Sequence, residues 1–173
     1  MSMDARVSEA YENLKSSLED LSVSYQKLLT TINSEKKFLI NSKIDDLNQN
    51  NLNKESLLSD IKTLDIERQK RAFHLATILK IGPDKARLLE LAKGLPLIEA
   101  EIFRDYHRKL SQLMERVVAS NKDNEIYAQS AIRTLGRAMD NVKEALVGKK
   151  IYAPKGNMKD GPMQSGNFVS KEA

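Results

Sequence analysis

Apolar residues recur near the start of the chain, from Val7 to Ile32, at a fixed beat. Val7, Tyr11, Leu14, Leu18, Leu21, Tyr25, Leu28 and Ile32 follow one another at spacings of alternately four and three. A helix brings positions three and four apart onto one face, so these eight residues form a single seam. The mean spacing of about 3.5 is that of coiled-coil packing. Between them stand mostly Ser, Glu, Asp, Lys and Gln, which suit water. Burying an apolar side chain contributes about 1.5–3 kcal/mol. Ordering each backbone unit costs about 1–2 kcal/mol. The seam therefore requires a second element to cover it.

The beat falters at Glu35. Ser42 precedes Asp45 by three residues, a loose capping-box pattern that predicts a kink or a helix restart there. After the polar run Asn48-Gln49-Asn50-Asn51 the pattern resumes at Leu57, Leu58, Ile61, Leu64, Leu75, Ile78 and Leu79. Whether residues 4–80 form one kinked helix or two stays open at this level. Gly82 is expected to cap this block, and Pro83 to open a short helix over residues 83–93 that Gly94 ends. A last long helix is predicted over residues 97–147, directly after Pro96 and up to Gly148. Its seam runs Phe103, Tyr106, Leu110, Leu113 and Val117, then Asn124, Ala128, Ala131, Leu135 and Val142.

Two long helical blocks joined by a short corner predict an all-α fold: an elongated antiparallel helical bundle, or coiled coil of long helices, in which each seam covers the other. Helices of 40–50 residues would run about 60–75 Å. The bundle is expected over residues 1–148. Residues 149–173 hold Gly and Pro with little apolar content, and are expected to form a flexible, disordered C-terminal tail.

Composition narrows the function classes. The chain has 173 residues and no cysteine, which removes disulfides and thiolate chemistry. Charged residues make up 30% and the net charge is +4, but the tail alone carries +3 of it, five Lys against Asp160 and Glu172. The remainder is too weakly basic for a nucleic-acid footprint, so no nucleic-acid partner is expected. The opening residues lack the apolar core of a signal peptide, and no run is long enough to span a bilayer. These features predict a cytoplasmic chain with no membrane insertion.

Nothing points to an enzyme. His74 and His107 are each preceded at three residues by an arginine, Arg71 and Arg104, where a di-metal bundle site would need glutamate. Gly148-Lys149-Lys150 lacks the upstream glycines of a phosphate-binding loop. Acidic pairs such as Glu99 with Glu101, or Asp45 with Asp46, read as solvated helix faces. No catalytic residue, metal site or cofactor is predicted. What remains is protein binding. Ile132, Met139 and Leu146, with Ile126 ahead of them, widen the apolar face that includes Leu135 and Val142. Periodicity alone favours core for this face, with a docking surface for a client helix as the sharper alternative.

Three stretches resemble the FlgN family of flagellar export chaperones, the type III export chaperones of hook-associated proteins. The first is the helix from Lys54 to Arg68, with Asp65 and Glu67 near its end. The second is Asn121-Lys122-Asp123-Asn124 followed by Ile126, Ile132 and Leu135. The third is the tail, Ile151-Tyr152-Ala153-Pro154-Lys155-Gly156, closing at Phe168-Val169-Ser170-Lys171-Glu172-Ala173, similar to a Tyr-x-x-x-Gly motif with a short ending. The resemblance implies a chaperone that binds the C-terminal helical regions of the first and third hook-associated proteins. It would prevent their early assembly and deliver them to the export gate. It also implies client binding through Ile132, Leu135, Met139, Val142 and Leu146, and docking of Tyr152 on the cytoplasmic domain of the FlhA export gate. On this reading the chain is a monomer or weak dimer. A self-associating coiled-coil adaptor is the competing expectation.

Overall fold

The computed structural model describes residues 4–82 and 85–148, with the side chains of residues 147–148 excepted. The described residues contain four helices and no strand. Asp4 starts the first by accepting a hydrogen bond from the Arg6 backbone at 3.0 Å, which satisfies one of the orphan N–H groups of a helix start. Helix α1 then runs Ala5–Ile40 and helix α2 Ile44–Ile78. The N-terminal block is thus two helices.

Their junction differs from the expected cap. Ser42 does not cap α2: it takes a left-handed backbone, φ 52°, one residue past the C-cap Asn41. The Lys43 N–H reaches Phe38 O at 3.0 Å and the Ser42 N–H reaches Leu39 O at 3.3 Å. This paired closure is a Schellman motif, which satisfies the last carbonyls of α1. Lys43 stands at the N-cap of α2 and makes no side-chain capping bond. The end of α2 repeats the device. Lys80 has φ 57°, Ile81 N–H bonds Ala76 O at 2.9 Å, and Lys80 N–H bonds Thr77 O at 3.2 Å. The capping role expected of Gly82 therefore falls to Lys80. The left-handed position is tolerated without glycine because Ile81, the next residue, packs onto the core.

The short helix is shorter than expected. Helix α3 spans Leu88–Lys93, preceded by Arg87 in extended backbone, and Lys85 closes a tight turn onto Gly82 O at 2.8 Å. Pro83 and Asp84 lie outside the described residues. Gly94 ends α3 as its position implied. A β-carbon there would meet Ile81 Cδ1 at 3.2 Å, so the close approach of the two segments favours glycine. Helix α4 begins at Leu97, directly after Pro96, and runs to Gly148.

The chain divides into two units, Met1–Ala131 and Ile132–Ala173. In the first, α1 and α2 form an antiparallel hairpin: Asn50 pairs with Thr31 near the turn and Arg71 with Asn13 far from it. Small buried residues, Ala10, Ser17 and Ser22 on α1 with Ala72 and Ala76 on α2, suit this close packing. The two serines turn their hydroxyls back onto Asn13 O and Leu18 O, so neither hydroxyl is stranded. The first 28 residues of α4 lie parallel to α1, since Phe103 stacks on Tyr11 with ring centroids 4.8 Å apart and Asn124 meets Ile32. The expectation of two blocks covering one another is thereby corrected. The α1 seam is covered by α2 and α4 together, because a hairpin and a third helix enclose it on more sides than one helix does. One core gathers Tyr11, Leu14, Leu18, Leu75, Leu91 and Phe103; a second gathers Leu21, Leu28, Ile32 and Ile61.

Candidate functional site

Two features of the helices bear on function, one in each unit. In the first, Glu35 interrupts the α1 seam for a reason that periodicity does not show. Its carboxylate accepts two hydrogen bonds from Lys54 Nζ, both 2.9 Å, and one from Asn124 Nδ2 at 3.1 Å. Asn124 is buried and also donates to Ile32 O at 2.8 Å. Lys54 further donates to Asn121 Oδ1 at 3.3 Å, and Asn50 to Thr31 O at 3.1 Å. Three helices are therefore pinned to one another at a single level. Lys54 and the pair Asn121 and Asn124, separate in the sequence, come together on Glu35. A buried polar residue that finds its partner in only one alignment fixes register. Sequence reading missed Glu35 because a charged residue in a seam looks like a fault. Its partner lies 19 residues away on another helix.

The second feature is the C-terminal stretch of α4. Ile132, Leu135, Met139, Val142 and Leu146 follow one another at spacings of three and four, and all are between 55% and 70% exposed. From Gln129 to Leu146 every residue is exposed. Periodicity favoured core for this face, and the exposure corrects that. The helix backbone satisfies its own hydrogen bonds, and among the described residues no element covers this apolar face. Five large apolar side chains on one helical face are more than scattered surface residues supply, and such patches mark interaction sites. Gly136, within the stretch, has nothing within 4 Å of where a β-carbon would stand. No close packing requires it. Tyr152, the expected docking residue, lies outside the described residues.

His74 and His107 are both exposed. No group of three or more metal-ligating side chains occurs among the described residues, and no described helix is long and apolar enough to cross a membrane. The strongest perturbation of a titrating group is at Tyr11, whose hydroxyl is pushed up to about 12, first by burial and then by the nearby Glu12. That residue belongs to the core.

No curated protein and no solved structure matches the chain. A family model described as FlgN protein matches residues 1–160, which takes in the hairpin, the clasp on Glu35 and the exposed stripe. The chain belongs to the FlgN family of flagellar export chaperones.

Proposed function

We propose that this chaperone works in the cytoplasm, where it holds the C-terminal helical regions of the first and third hook-associated proteins. It keeps them from assembling early and brings them to the export gate. The observation that carries the reading is the exposed heptad stripe of Ile132, Leu135, Met139, Val142 and Leu146. A client whose terminal helix is destined for a coiled coil carries a matching apolar stripe before assembly. Laying one stripe on the other removes both from water, at about 25 cal/mol per Å² of apolar surface. No covalent step and no nucleotide is required.

Delivery is assigned to the tail. By resemblance, Tyr152 docks on the cytoplasmic domain of the FlhA export gate. An aromatic ring buries a large area with few rotatable bonds, which suits an anchor. Lys149, Lys150 and Lys155 flank it and would steer it toward an acidic surface.

The test is co-purification of the full chain with the first and the third hook-associated proteins. The wild type is expected as a monomer or weak dimer that forms a stoichiometric complex. Leu135→Asp combined with Met139→Asp is expected to abolish the complex while helix content and thermal midpoint stay within a few degrees of wild type. Tyr152→Ala should leave the complex intact and reduce export. A tight homo-oligomer indifferent to both clients would instead favour the coiled-coil adaptor.

A further inference from the structure

Resting on that reading of the stripe, a closer look at the helix face defines what it can pack against. A helix advances about 100° per residue. Over residues 132–146 the charged side chains are Arg133, Arg137, Asp140, Lys143 and Glu144. At that advance they all fall within an arc of about 120°, which leaves about 240° of the circumference without a charge. A two-stranded coiled coil uses far less. It buries two positions in seven and commonly sets charged residues on both edges of the seam. Here one edge carries Lys143 and Gly136, whereas the other carries Ala138 and Ala145, with Thr134 and Asn141 beyond them. All four are exposed. Three neighbouring apolar positions in seven is the pattern of a helix that touches two others in a bundle.

We infer that the stripe of residues 132–146 seats in the groove between two packed helices of its client, with Ala138 and Ala145 turned toward one of them and the charged arc toward water. The client surface is then a helix pair rather than a lone amphipathic helix. Alanine serves on the inner edge because a short side chain lets a neighbouring backbone approach closely. On the outer edge, an acidic residue on the second client helix would complement Lys143.

The experiment is titration calorimetry of the full chain against the full-length first hook-associated protein. The variants are Ala138→Gln with Ala145→Gln, and separately Ala138→Glu with Ala145→Glu. Alanine, glutamine and glutamate are all good helix formers, and circular dichroism verifies that each variant folds. With two client helices on the face, both pairs are buried, and each variant should weaken binding at least 100-fold. With one helix on the seam these positions face water. Weakening below tenfold in the glutamine variant, while Leu135→Asp with Met139→Asp still abolishes the complex, overturns the inference and leaves the chaperone reading standing. If the aspartate variant binds normally, the chaperone site itself is wrong. If sedimentation shows the chain alone self-associated and the glutamine variant dissociates it, the neighbouring helices come from other copies, and the inference fails.

Discussion

Tyr11 illustrates how one residue carries two physical roles that conflict. Its ring stacks on Phe103 and is 2% exposed, at the point where α4 meets α1. Its hydroxyl is buried, with no hydrogen-bond partner among the described residues. A buried polar group left unpaired costs about 1–3 kcal/mol. Tyr11→Phe keeps the stacking and removes the cost, so the thermal midpoint should rise, by about 1 kcal/mol in stability. The pH dependence has a definite sign. The folded value of about 12 lies above the ordinary value of 10, so the unfolded chain releases this proton first. The wild type should lose stability as pH rises from 10 toward 12, and Tyr11→Phe should lose less over that window. Denaturant melts at pH 8 and pH 11 measure the difference.

At the scale of elements, the two helix ends at Ser42 and Lys80 are closed by backbone geometry rather than by the residue types that advertise caps. The left-handed region costs an L-residue about 1–2 kcal/mol, and glycine avoids that at the expense of a looser unfolded chain. Ser42→Gly is therefore expected to stabilise the hairpin by about 0.5–1 kcal/mol, read as a shift in urea midpoint at unchanged slope. Sequence reading placed a boundary near Ser42 correctly but assigned the serine to the wrong side of it. Ser42 and Asp45 match a capping box by spacing alone, while the backbone at 42 is decided by how Phe38 and Leu39 carbonyls find donors. The same limit explains α3. Proline and glycine marked the segment, but its helix forms only where Leu88, Leu91 and Ala92 reach the core.

At the scale of the molecule, the clasp on Glu35 matters more than its count of hydrogen bonds suggests. Lys54 and Glu35 are both mostly buried, at 20% and 13% side-chain exposure. Removing one member strands the other, at about 3–5 kcal/mol for a buried pair, less here because some exposure remains. Glu35→Ala should lower stability by about 2–3 kcal/mol. Lys54→Met added to it should recover part of that loss, since no charge is then left unpaired. A double-mutant cycle by chemical denaturation checks both statements. None of these changes touches the stripe of residues 132–146, so client binding by the folded fraction should be unchanged.

The all-α class, the helical seams and the end of α3 at Gly94 were legible from the sequence, because helix periodicity and backbone restrictions act over a few residues. So was the apolar stripe, as a pattern. Its exposure was not: Leu113 and Leu135 continue one spacing on α4, yet the first is buried and the second is open to water. Identical local patterns cannot report whether another helix lies over them. Likewise Glu35 read as a break until Lys54 and Asn124 were seen to meet it. Local order follows from the chain's own covalent neighbourhood, whereas burial and polar pairing are properties of segments distant in sequence, and only folding brings those together.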